Sequence, residues 1–189
     1  MHPKRLRLDR IALTRGGNEI STTVSIDLNA GGLVCLMGPN GSGKTTLLRQ
    51  IAGVSDEQYV PEHFRSFYLG HSLPFYAGLS VRQQLKFWTS CGDSQITSAL
   101  AEFDVESCAD KLFGRLSKGQ QQRVALSMLC LNKYDIWLLD EPTQNLDAQS
   151  SNKLYNLIQK FLQSGGMAIM ASHQELPRSI NYRKVFLEK

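Results

Sequence analysis

Apolar positions along the chain change period several times. Leu6, Leu8, Ile11 and Leu13 recur near a period of two, with a slip in phase at Asp9-Arg10. Val24, Ile26 and Leu28 alternate cleanly, so the two runs together predict an antiparallel strand pair. "LVCLM" (33–37) is apolar at every position, as a strand buried on both faces must be. "KTTLLRQIAG" then reads as a helix that Gly53 can close in a left-handed conformation. From about 72 to 132 the pattern is helical. Ser80 and Gln83 form a capping box ahead of "VRQQLKFW". Ile96, Leu100 and Phe103 line one face of the next helix, and Val124, Met128 and Leu131 line a third that begins after "LSKGQ". Alternation then returns, with a strand at 136–140, a helix at 148–164, a strand at 167–171 and a last strand near 184–188.

Strands that alternate with helices predict an α/β fold, a parallel sheet with helices on its faces. The composition, 42% hydrophobic and 20% charged over 189 residues, fits one globular domain spanning 1–189. The net charge of +4 comes from scattered lysines and arginines, which gives no nucleic-acid footprint. Cys35, Cys91, Cys108 and Cys130 lie far apart with no C-x-x-C pair, so they are expected as single buried thiols in a reducing cytosol. The basic start, "MHPKRLRLDRIALTR", lacks the apolar stretch of a signal peptide. The best apolar run, "VALSMLCL", falls far short of a membrane span. The expectation is a cytosolic chain that reaches a membrane only through a partner.

"GPNGSGKT" (38–45) fits G-x-x-x-x-G-K-[ST] between a buried strand and a helix, the context that confirms a phosphate loop. Its glycines let backbone N–H groups curl around phosphate oxygens with no Cβ in the way. Lys44 places a positive charge on the β- and γ-phosphates, and Thr45 offers a hydroxyl to Mg²⁺. The helix that follows points its positive end at the anion. This motif implies binding of a nucleoside triphosphate.

"IWLLDEP" ends a hydrophobic strand in adjacent carboxylates. Asp140 is placed to hold Mg²⁺ through water, and Glu141 to polarise an attacking water as general base. "LSKGQQQR" (116–123) supplies a second anion-binding surface, built from Ser117, Gly119 and the backbone at a helix start, with Gln120 and Arg123 on the helix behind. One phosphate loop has no internal use for two such surfaces. Two copies set head to tail do, each closing its signature over the γ-phosphate held by the other.

With these motifs over most of its length, the chain resembles the ATP-binding-cassette (ABC) ATPases. The resemblance implies a RecA-like P-loop NTPase core, an antiparallel β subdomain, an inserted helical subdomain at approximately 72–132 and a nucleotide-sandwich homodimer. It implies ATP contacts from Gly38, Pro39, Asn40, Gly41, Ser42, Gly43, Lys44, Thr45 and Thr46, and contacts to the partner copy's ATP from Ser117, Lys118, Gly119 and Gln120. "QNLD" becomes the D-loop, with Asp147 at the dimer interface, and "SHQ" the switch, with His173 on the γ-phosphate. Upstream, where the family stacks an aromatic ring on the adenine, "LTRGGN" offers only Arg15 as a planar group.

The family's Q-loop glutamine, which helps hold metal and water, is here replaced by His71. A neutral imidazole can donate to or accept from a lytic water and approach Mg²⁺, so it can partly replace an amide. Gln83 or Gln84 would be the alternatives, but both sit inside a capped helix. "GHSLPFYAGLSVRQQLKFW" and "GGMAIMASHQELP" resemble one subfamily, the CcmA-type ATPases of cytochrome c maturation exporters. That likeness implies a peripheral protein on the cytoplasmic face of the inner membrane. It implies as partners a multispanning CcmB-like subunit and other cytochrome c maturation subunits. It also implies a cycle of ATP and Mg²⁺ serving haem export or release of a haem-loaded chaperone. An ATPase for another small exporter is the alternative, followed by a cassette protein acting on nucleic acid or ribosomes, and then a P-loop kinase or switch protein.

Overall fold

In the computed structural model, which describes residues 4–15, 18–54 and 59–188, β1 (Arg5–Arg15) and β2 (Asn18–Asn29) form an antiparallel ribbon. Leu6 pairs with Leu28, Leu8 with Ile26 and Ile11 with Val24, so the alternating apolar residues share one face. The slip in phase at Asp9-Arg10 is a bulge. The register shifts between Leu8 and Ile11, Arg10 takes a φ of 52°, and its N–H donates to Ser25 Oγ at 3.0 Å.

Five further strands form a sheet with every neighbouring pair parallel: β3 (Leu33–Met37), β4 (Ser66–Leu69), β5 (Ile136–Asp140), β6 (Met167–Ala171) and β7 (Arg183–Phe186), in the order β4-β5-β6-β3-β7. The chain leaves β3 towards β4 and leaves the adjacent β6 towards β7, so the two connections diverge. Such a divergence opens a crevice at the carboxyl ends of the strands.

Helix α1 (Lys44–Ile51) closes in a Schellman motif: Gly53 at φ 69° donates to Gln50, and Val54 donates to Arg49. Its Leu47, Leu48 and Ile51 join Leu8, Ile11, Ile26, Val34, Leu36, Leu138 and Ile169 in one buried core beneath the ribbon. The opposite side of β5 carries Trp137, stacked on Phe161 at 3.7 Å between ring centroids.

The described residues divide into two compact units, 1–71 with 134–142 and 158–189, and 72–133 with 143–157. The second holds α2 (Val81–Trp88), α3 (Asp93–Glu102), α4 (Lys118–Ser127) and the start of α5 (Ala148–Gln163). Ser80 and Gln83 exchange both bonds of the expected capping box, at 2.9 and 3.2 Å.

Three expectations are corrected. Helix α4 begins inside "LSKGQ", because Ser117 caps it, and Met128–Cys130 is a tighter 3₁₀ turn. The last strand starts and ends earlier than 184–188. Of the cysteines only Cys35 and Cys108 are buried, while Cys91 is half-buried and Cys130 exposed. Burial pushes the Cys35 thiol up to about 11. Among the described residues no helix is long and apolar enough to cross a membrane.

Candidate active site

The loop between β3 and α1 turns on three glycines in the left-handed half of φ: Gly38 at 146°, Gly41 at 81° and Gly43 at 96°. A Cβ on Gly38 would meet the Leu187 carbonyl oxygen at 2.3 Å, so the start of the loop is pressed against the end of β7. A Cβ on Gly41 would meet nothing within 4 Å. Gly43 is the N-cap of α1 and supplies no side-chain cap, which leaves the first-turn N–H groups of the helix to an external acceptor. Lys44 is buried, and its Nζ donates to the carbonyls of Gly38 at 2.8 Å and Pro39 at 3.0 Å. Asn40, Gly41, Gly43, Lys44, Thr45, Thr46, Glu141 and His173 line one cavity of about 250 Å³.

Thr45 Oγ1 donates to Asp140 Oδ1 at 3.1 Å, joining the start of α1 to the end of β5. Asp140 is 3% exposed, and its second oxygen, Oδ2, is buried with no hydrogen-bond partner. Ser42 Oγ is buried and unpartnered in the same way. Burial pushes the Asp140 carboxyl above the usual carboxylate range; Glu141 adds to this, and Thr45, His71 and Arg49 draw it back. A carboxylate oxygen orphaned beside a threonine hydroxyl suits a hard cation that takes its other ligands from water and phosphate. Among the described residues no three carboxylate, imidazole or thiol groups gather to hold a metal by themselves.

Glu141 follows at φ 49°, a strained conformation for a residue with a side chain. Its N–H donates to the Ala171 carbonyl at 3.1 Å, tying the end of β5 to the end of β6. From that anchor its Oε1 lies 2.6 Å from His173 Nε2. His71 stands exposed in the bend after β4. Gly70 before it has a packing reason, since a Cβ there would lie 2.8 Å from the Tyr68 hydroxyl. The alternatives to His71 are otherwise engaged: Gln83 completes its capping box, and buried Gln84 donates to the Tyr76 carbonyl.

In the second unit, Ser117 and Lys118 are exposed at the start of α4. Ser117 Oγ accepts the Gln120 N–H at 3.2 Å, and Gln120 Oε1 accepts the Ser117 N–H at 3.0 Å. Gly119 abuts the loop before α5, since a Cβ there would lie 3.0 Å from the Asn145 carbonyl oxygen. Asp147 caps α5 by accepting the Ser150 N–H at 2.7 Å, and that bond holds its carboxyl below the usual range. The Arg15 side chain with Gly16 and Gly17, where an adenine contact was expected, lies outside the described residues.

The Ala171 carbonyl, the Leu187 carbonyl and Ser172 join the site without having been expected from the sequence. The two carbonyls carry no sequence signal. Ser172 does: a serine at a strand end can bond to backbone two residues ahead.

The family model described as ABC transporter matches residues 21–144. The cytochrome c biogenesis ATP-binding export protein CcmA of Roseobacter denitrificans is 40% identical over 173 residues, covering 89% of this chain and 84% of that protein. Proteins of the same name from Rhodobacter capsulatus and Brucella abortus are 36% and 34% identical, over 90% and 89% of this chain and 82% and 85% of theirs. Among solved structures, an ABC transporter ATP-binding protein from Pyrococcus furiosus superposes with a TM-score of 0.82 at 26% identity, covering 97% of this chain and 98% of that one. A bacterial ABC transporter cassette solved as a dimer shares the fold, with a TM-score of 0.79 at 22% identity over 96% of this chain and 94% of its own.

Proposed function

As a member of the ABC transporter family, in its branch of cytochrome c biogenesis ATP-binding export proteins, the chain is an ABC-type ATPase, and we propose that it drives a cytochrome c maturation exporter from the cytoplasmic face of the inner membrane. The observation that carries this reading is the convergence of Lys44, Thr45, Asp140, Glu141 and His173 at the carboxyl ends of the strands of one sheet.

The phosphate loop, Gly38 to Thr46, wraps the triphosphate, and Lys44 leaves its loop carbonyls for the β- and γ-phosphate oxygens. Thr45 and Asp140 would hold Mg²⁺, with His71 approaching the metal's water shell. When bound, Mg²⁺ would supply positive charge against the negative charge of the phosphates. Glu141 accepts the proton of the attacking water as the bond from the γ-phosphorus to ADP breaks. His173 donates towards the γ-phosphate and holds the glutamate in place. Hydrolysis yields ADP and phosphate.

Two copies meet head to tail, so that Ser117, Lys118, Gly119 and Gln120 of one close over the γ-phosphate of the other, with Asp147 at the seam. Closure on ATP and reopening after hydrolysis move a multispanning CcmB-like subunit, and the cycle serves haem export or release of a haem-loaded chaperone.

A pull-down of tagged Glu141→Gln from detergent-solubilised membranes with ATP and Mg²⁺, read by mass spectrometry, tests the assignment. Recovery of a multispanning subunit with cytochrome c maturation proteins supports it. An unrelated membrane subunit keeps the motor and discards the cargo, and ribosomal or DNA-associated partners alone overturn the transporter reading.

A further inference from the structure

The loop that carries His173 is closed by a buried hydroxyl. Ser172 is 7% exposed and directly follows the five buried residues of β6. Its Oγ donates to the Gln174 carbonyl at 2.7 Å and accepts the Gln174 N–H at 3.1 Å, so one side chain encircles His173 from the residue before it to the residue after. The Ser172 N–H is bonded in turn to the Leu36 carbonyl at 3.1 Å, on the strand that leads into the phosphate loop. The backbone before His173 is therefore bonded to β3 directly, and the backbone after it is tied back through the Ser172 hydroxyl, which restricts where the imidazole can lie. A hydroxyl on a buried residue meets less competition from solvent for both bonds than one on an exposed residue.

A second tie runs further out. Glu175 accepts the Tyr182 hydroxyl at 3.0 Å and the Lys184 ammonium at 2.5 Å, but these charged groups are at least half exposed and solvent screens them. The buried tie is the one able to hold a catalytic angle.

We propose that Ser172 is a positioning residue, holding His173 where its Nε2 meets Glu141 beside the cavity lined by the phosphate loop. The kinetic part rests on the ATPase reading, whereas the structural part stands without it. The hydroxyl touches no substrate; it acts through His173.

Two measurements test this on the full-length chain. The first is the ¹⁵N spectrum of the imidazoles. With only four histidines in the sequence, His173 is assigned by its loss in His173→Ala. Ser172→Ala and the near-isosteric Ser172→Cys are expected to shift or broaden the His173 ring signals, while Ser172→Thr, which keeps the hydroxyl, leaves them in place. Unchanged His173 signals in Ser172→Ala overturn the proposal.

The second is a cycle of ATP hydrolysis rates. Ser172→Ala is expected to lower kcat roughly tenfold with KM for ATP within about twofold, because misplacing a catalytic group costs rate before binding. Ser172→Thr restores the rate, and Ser172→Ala combined with His173→Ala is no slower than His173→Ala alone. Failure of threonine to restore the rate assigns the effect to packing, and losses that multiply in the double variant make Ser172 independent of His173; either overturns the proposal. A wild-type chain without hydrolysis sinks the ATPase reading instead, and the imidazole spectrum still decides the role of Ser172.

Discussion

The Glu141 carboxylate lies 2.6 Å from the His173 imidazole, although the two residues belong to different strand ends. The Glu141 N–H is bonded to the Ala171 carbonyl, so backbone and side chain together tie the acid pair to the loop after β6. Asp140, one residue earlier, faces Thr45 instead. Adjacent carboxylates thereby face different partners.

Glu141→Gln keeps the shape of the side chain and removes its basicity. ATP turnover is expected to fall about 10²–10⁴-fold, with nucleotide binding retained. The variant should run as a dimer on gel filtration with ATP and Mg²⁺. A monomer under those conditions counts against the sandwich arrangement.

His71→Ala is expected to lower turnover roughly tenfold and to change the Kd for ATP by less than about twofold. Equal losses in turnover and binding would make His71 a structural residue of the bend after β4. Gln83→Ala and Gln84→Ala should instead lower the melting temperature, since one completes a helix cap and the other is buried.

Asp140→Asn should abolish Mg²⁺-dependent turnover while raising the melting temperature of the nucleotide-free protein. Burial raises the Asp140 pKa, so its charged form costs stability in the folded state. That cost is absent where the carboxyl is protonated and sets in as pH rises through the raised pKa. The gain in Asp140→Asn is therefore largest near neutral pH and shrinks in acid. Melting curves against pH check this, and a variant that melts lower than wild type at pH 7 would contradict it.

Gly38→Ala and Gly41→Ala separate close contact from backbone strain. Both positions have positive φ, but only at Gly38 does a Cβ run into backbone, the Leu187 carbonyl. Gly41→Ala should cost about 1–2 kcal/mol. Gly38→Ala should cost at least ~2 kcal/mol more, a further drop of about 5 °C in melting temperature. Equal losses would mean that the loop start can move off β7.

Much of the fold was legible because its causes are local. The slip at Asp9-Arg10 became a bulge because period two is interrupted there, and Gly53 closed α1 because only a left-handed residue completes that pattern of bonds. "GPNGSGKT" was legible because its chemistry lies within one turn of chain. The start of α4 was set too late because "LSKGQ" reads as a loop motif, whereas Ser117 and Gln120 cap each other and start the helix inside it.

By itself the sequence determined the helices and every strand but the short β4, the phosphate loop, the acid pair and the identity of His71 and His173, all governed by neighbours within a few residues. Tertiary structure alone decided the strand order, which puts β6 between β5 and β3. That order brings Ala171 to the Glu141 N–H, Ser172 to Leu36 and, through β7, Leu187 to Gly38. These contacts join residues separated by 30 to 149 positions in the numbering. Backbone N–H and C=O groups are alike at every residue, so no side-chain pattern announces which of them will meet.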